Sequence, residues 1–205
     1  MRFFCFLVLL TSLMACSGLM PRRDFIDHTF YATSPKLAIR ISDHFKLDDK
    51  KQSSSFNFFS SGGETGTDIR EETFHFLNLE QKKAFTLGIS KINHGYWRPN
   101  LLDWIEYPLE TGVIHANGQD YQSAVFAIKT DDGSCLLVRY LAALADANCQ
   151  TLVRAYYLQE ISPRLGGCEE WSAADSLNSG QRAFLARFSK DFVQEIKFVD
   201  PNRGN

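Results

Sequence analysis

The stretch VIHANGQDYQSAVFAIKT, residues 113–130, decides the fold. Asn117-Gly118 divides it into two apolar runs, Val113–Ala116 and Tyr121–Thr130. Both central residues readily take the positive φ that a type I′ turn needs, so the stretch reads as a β-hairpin. Asp131-Asp132-Gly133 supplies a second turn. Cys135–Leu144 and Thr151–Ile161 follow as two more strands. The first is apolar on both faces, with Leu136, Val138 and Tyr140 on one and Leu137 and Leu141 on the other. A strand of that kind belongs in the middle of a sheet, covered on each side.

The same period-2 signal runs upstream. Leu37, Ile39 and Ile41 alternate with Ala38, Arg40 and Ser42. Phe56 and Phe58 alternate with Ser55 and Asn57, and Ser60–Gly66 reads as a loop. Phe74 and Phe76 begin another strand, Glu80–Lys83 forms a connection, and Phe85, Leu87 and Ile89 mark the next strand. Residues 97–108 break the pattern. There Asn100 is positioned to cap a short helix, with Leu101, Leu102 and Ile105 on one side and Pro108 ending it.

Downstream the period changes to 3.6. Phe184, Phe188 and Phe192 recur every four residues, and Asn178 with Gln181 forms a capping-box pattern. This predicts an amphipathic helix whose aromatic stripe faces the core. The expected fold is therefore α+β, an antiparallel sheet of about seven or eight strands with a C-terminal amphipathic helix packed on it. A β-sandwich with a trailing helix is the alternative.

The topology constrains the cysteines. If Cys135–Leu144 and Thr151–Ile161 pair as a hairpin, Cys135 lies near the Ile161 end. Cys149 then lies at the far end, about 33 Å away at the rise of an extended strand. A disulfide needs Cα atoms within about 7 Å. Cys168, seven residues past Ile161, can fold back, so the expected bridge is Cys135–Cys168, with Cys149 left as a thiol.

The N-terminus carries a different message. Arg2 precedes the apolar run Phe3–Leu10, and a small residue, Ala15, precedes Cys16. A charged start, a short apolar run and a small residue at a cut mark a secretory signal. The run is too short for a stable span, which takes about 20 apolar residues. Leu13-Met14-Ala15-Cys16 resembles the bacterial lipobox. The resemblance implies cleavage after Ala15, diacylglycerol on the Cys16 sulfur and acylation of the new amino group, and Ser17 fits transfer to the outer membrane of a Gram-negative envelope. Each buried CH₂ contributes about 0.8 kcal/mol, so two or three chains anchor firmly where one does not. The chain accordingly divides into a signal peptide (1–15), a lipidated cysteine with its tether (16–34) and one globular domain (35–205). Removing residues 1–15 leaves 190 residues, the length of one domain.

The mature chain carries 21 basic and 24 acidic residues. It has no basic cluster of the kind that binds nucleic acid. The five histidines, His28, His44, His75, His94 and His115, show no metal-ligand spacing. The glycine-rich segment 62–68 lacks the lysine of a phosphate loop, and Asp131-Asp132-Gly133-Ser134 is too short for a calcium loop. Glu169-Glu170-Trp171 offers carboxylates beside an aromatic, but neighbours in a strand point to opposite faces. No catalytic constellation, metal site or cofactor motif emerges.

One cluster stands out. Trp97, Arg98, Trp104 and Tyr107 lie within eleven residues, and aromatic and Arg side chains are favoured at binding hot spots. They also suit a plug for one end of the sheet. The expected function is a lipid-anchored, non-catalytic binding module of the cell envelope. It meets the membrane through its lipid and recognises an envelope protein or glycan. The alternative is an envelope hydrolase whose site is assembled from distant residues.

Overall fold

The computed structural model describes residues 22–60 and 64–201. Cys16, the expected signal peptide and residues 17–21 lie outside the described residues. Eleven strands form two antiparallel sheets, with one α-helix among the described residues. The smaller sheet has the order β1-β2-β3-β11, with β1 Arg23–Ile26, β2 Thr29–Thr33, β3 Lys36–Ile41 and β11 Ile196–Phe198. The larger has the order β4-β5-β6-β10-β9-β8-β7. Its strands are β4 Lys46–Ser60, β5 Glu64–Asn78, β6 Lys83–Ile92, β7 Glu110–Ala116, β8 Gln119–Lys129, β9 Cys135–Leu144 and β10 Thr151–Glu160.

The opening hairpin forms as read. Ala116 pairs with Gln119, and Asn117 and Gly118 take φ of 53° and 71°, which is the type I′ geometry. β9 pairs with β10 from Leu136↔Glu160 to Leu144↔Leu152, and Ile161 N–H donates to the Cys135 carbonyl at 2.8 Å. That register brings Cys168 back to Cys135. The disulfide is formed, with Cα atoms 5.3 Å apart, and Cys149 is free.

One core lies between the sheets. Phe30 of β2 meets Phe74 of β5 at 4.6 Å between ring centroids, and Tyr121 meets Phe198 at 4.8 Å. Helix α1, Ser179–Glu195, packs into the same core through Phe184, Phe188 and Phe192. Its N-terminus is closed as the sequence predicts: Gln181 N–H donates to Asn178 Oδ1 at 2.9 Å, and Asn178 N–H to Gln181 Oε1 at 2.8 Å. Burial of this aromatic stripe fixes the helix, since a fully buried Phe contributes roughly 1.5–3 kcal/mol.

Four expectations need correction or extension. Of the tether expected over 16–34, residues 23–33 form β1 and β2. Phe25 and Phe30 supply core contacts there, so burial outweighs the polar composition around them. Residues 101–104 make turns in place of a short helix, because Leu101, Leu102 and Ile105 are drawn onto the sheet at irregular spacing. The eight expected strands correspond to β3–β10, and β1, β2 and β11 are additional. The expected loop 60–66 is also shortened, with β4 reaching Ser60 and β5 starting at Glu64.

Candidate functional site

The seven-stranded sheet has a second face, turned away from the small sheet. Side chains alternate across a strand, so β9 sends Val138, Tyr140 and Ala142 to this outer face while Leu137 and Leu141 enter the main core. Phe126 of β8 and Leu152 of β10 join them in a second apolar cluster. The segment between β6 and β7 crosses this cluster and covers it with Trp97, Leu101, Leu102 and Ile105. Two hydrogen bonds hold it down: Leu101 N–H to Gln122 Oε1 at 3.0 Å, and Gln122 Nε2 to the Pro99 carbonyl at 2.5 Å.

This places the four residues singled out from the sequence. Trp97 is half-buried and structural. Its indole Nε1 donates to the Gln150 carbonyl at 3.1 Å and its backbone N–H to the Cys149 carbonyl at 2.7 Å. Trp104 is 55 % exposed. It stands edge-on to Phe126 at 5.4 Å and to Tyr140 at 5.2 Å, so one rim is anchored and the remainder meets solvent. Arg98 and Tyr107 are exposed on the same segment. Trp97 and Trp104 thus share a floor, and only Trp104 presents an anchored aromatic surface.

From Trp104 an ordered row continues across the sheet. Tyr140 pairs in register with Tyr156, Tyr156 with Thr86, and Thr86 with His75. The Tyr140 and Tyr156 rings lie 4.9 Å apart, and His75 Nδ1 is 3.1 Å from Thr86 Oγ1. The next row runs Arg154, Gly88, Thr73. Arg154 Nη2 donates to Ser90 Oγ at 3.1 Å and is ion-paired with Glu71. The Glu71 carboxylate lies over Gly88, with Oε1 at van der Waals distance, 3.4 Å, from where a Cβ would stand.

Tyr156, Arg154, Thr86, His75 and Glu71 are all half-exposed, because the covering segment stops short of β5 and β6. The result is a shelf: an aromatic wall at Trp104 and Tyr156, then a polar floor whose one cation and one anion neutralise each other. Burial, with Tyr156 close by, pushes the Tyr140 phenol up to about 12. Burial likewise raises that of Tyr156, against the pull of Arg154. Both are neutral hydroxyl groups at physiological pH. The shelf therefore offers hydrogen-bond donors and acceptors beside stacking surface, and its Arg154 and Glu71 charges are paired with each other.

Sequence alternation places Arg154 with Tyr156, and Glu71 with Thr73 and His75, as i, i+2 pairs on one face. Their convergence depends on the β10–β6–β5 register, which no local pattern specifies.

Other chemistry-bearing residues are accounted for structurally. Lys83 Nζ lies beneath α1, 2.8 Å from Glu195 Oε1 and 3.0 Å from Asp191 Oδ2, and Tyr157 Oη donates to Glu195 Oε2 at 2.6 Å. Trp171 is buried against Phe184, and Glu170 Oε1 accepts from the Gly167 N–H, so Glu169-Glu170-Trp171 presents no sugar-stacking surface. His28, His44, His94 and His115 are exposed. Among the described residues no three His, Cys, Asp or Glu side chains converge as a metal site, and no helix is long and apolar enough to cross a membrane.

Compared with protein-family models, with curated proteins and with solved structures, the chain matches none.

Proposed function

We propose that this chain is a lipid-anchored module of the cell envelope that binds a neutral saccharide on the outer face of its larger sheet. The Leu13–Cys16 pattern supports the anchor: lipid on Cys16 holds the domain on a membrane, in the outer membrane of a Gram-negative cell given Ser17. The observation that carries the binding reading is the shelf itself. Trp104 and Tyr156 give apolar faces for sugar rings, and Arg154, Glu71, Thr86 and His75 surround them with donors and acceptors. A few polar groups set in an aromatic surface are the usual make-up of a ligand site. The paired charges of Arg154 and Glu71 favour an uncharged ligand over an anionic one.

The hydrolase reading draws no comparable support. The titratable cluster nearest to catalytic composition, Lys83–Asp191–Glu195, is closed beneath a helix, with the Lys83 side chain 3 % exposed.

The test has two parts. Intact mass of the native protein reads the anchor, which predicts acyl mass on Cys16. Tryptophan fluorescence during titration with neutral envelope oligosaccharides reads the shelf. Quenching that saturates, and that Trp104→Ala and Tyr156→Ala abolish, supports the site; an unresponsive Trp104, or binding unchanged in both variants, refutes it.

A further inference from the structure

A second surface lies between the two sheets' edges. One edge strand of the larger sheet, β7, and one edge strand of the smaller, β11, border a groove of about 1060 Å³. Its floor is apolar: Ile114 from β7, Phe192 and Val193 from the end of α1, and Ile196 and Phe198 from β11. Val193 is 64 % exposed although it sits in the last turn of a packed helix. Lys36 and Lys197 stand on the rim with Asp200 and His115, all exposed. The volume is at the upper end of the roughly 300–1,000 Å³ of small-molecule pockets.

The position of this groove identifies its occupant. Arg22 is hydrogen-bonded to Thr33 in both directions, through its N–H to Thr33 Oγ1 at 2.9 Å and its carbonyl to the Thr33 N–H at 3.2 Å. Thr33 pairs in register with Lys36, and Lys36 lines the groove. Two strand spacings, about 10 Å, therefore separate the start of the folded domain from the groove. From Cys16 to Arg22 is six residues, which span at most about 20 Å. A domain held by lipid on Cys16 on so short a lead keeps this end within about 20 Å, and the groove within about 30 Å, of the bilayer, close enough for the groove to reach it.

We infer that the β7–β11 groove takes up an acyl chain of a bilayer phospholipid. The inference rests on the proposed lipidation of Cys16 for its geometry. An unbranched hydrocarbon fits an open channel lined by Ile, Val and Phe, and Lys197 at the rim suits a phosphate headgroup. Contact of this kind fixes how the domain leans on the membrane. The saccharide shelf lies on the outer face of the larger sheet, away from the small sheet that carries the lead.

The full lipidated chain is reconstituted in vesicles of phosphatidylethanolamine and phosphatidylglycerol, with a trace of phosphatidylglycerol bearing a diazirine near the end of one acyl chain. Irradiation and peptide mapping should place adducts on Ile114 or within Phe192–Phe198. Val193→Glu, at an exposed helical position, should lose those adducts with the melting temperature unchanged. Adducts confined to other surfaces, or unaffected by Val193→Glu, overturn the inference. So does a groove labelled only when the protein's own acyl chains carry the diazirine, because the occupant is then the anchor itself. If intact mass shows no lipid on Cys16, the anchor reading fails by itself. Groove labelling of that unlipidated chain in the same vesicles would still uphold the assignment, and its absence would end it.

Discussion

Lys83 and Glu195 meet beneath the last turn of α1, with Nζ and Oε1 2.8 Å apart, and join a β-strand to a helix 112 residues downstream. Asp191 supplies a second carboxylate one turn earlier. The Lys83 side chain is buried, and both carboxylates lie within ion-pairing distance of its Nζ. Removing one partner of a buried ion pair costs about 3–5 kcal/mol, since the remaining charge is left without a partner. Lys83→Ala should therefore destabilise the fold by about that much in urea unfolding. Adding Asp191→Asn and Glu195→Gln to Lys83→Met should recover most of the loss, because no buried charge then remains.

The helix stripe is a separate source of stability. Phe188 is fully buried and stacks on Tyr157 at 5.1 Å. Phe188→Ala should cost about 3–5 kcal/mol, the range for emptying a buried aromatic site. An exposed substitution on the same helix, Lys190→Gln, should stay within about 0.5 kcal/mol. Chemical denaturation of both variants checks the contrast.

A pH effect follows from Asp146, which holds the β9–β10 connection. Its Oδ1 accepts from the Asn148 and Gln150 N–H groups, each at 3.0 Å. Burial alone raises its carboxyl pKa, but hydrogen bonds from Thr151, Gln150 and Asn148 outweigh this and hold it below the ordinary value. A carboxyl depressed in the folded state contributes stability fully above its unfolded pKa, and loses it as pH falls through the lower, folded one. Asp146→Ala should thus weaken the protein by about 1–2 kcal/mol at neutral pH. The gap between wild type and variant should narrow as pH falls below the ordinary carboxylate range, as measured by melting temperature.

The Cys135–Cys168 bridge closes a loop of 33 residues in sequence separation. Loop-closure entropy assigns such a bridge about 3–4 kcal/mol. The double Cys135→Ser, Cys168→Ser variant should lose stability of that order, while Cys149→Ser, at a thiol outside any bridge, should shift the denaturation midpoint little.

Much of this architecture was legible because hydrophobic period is local. The Asn117-Gly118 turn, the doubly apolar β9 and the Phe184–Phe188–Phe192 stripe each announce themselves within a dozen residues. The disulfide followed from them, since one hairpin register fixes which ends meet. β11 was missed because Ile196 continues from the helix with no Gly or Pro between; its N–H still donates to the Phe192 carbonyl as the helix closes. β1 was missed because Arg23 and Asp24 read as tether, yet the Arg23 side chain is buried and ion-paired with Glu72 across the sheets. For the proposed binding surface, sequence identified Trp104, which shares its segment with Trp97 and Tyr107. It did not identify Tyr156, Arg154 or Glu71, which come from β10 and β5 and are united by pairing alone.

The disulfide also has a temporal meaning. Cys135 opens β9, and Cys168 sits in the 3-10 turn Cys168–Trp171, beyond the end of β10. In the folded chain it is the β9–β10 register, closed by the Ile161 N–H on the Cys135 carbonyl, that sets the two sulfurs side by side. Trapping free thiols at intervals during oxidative refolding therefore times the closing of this covalent clasp against zipping of the central hairpin.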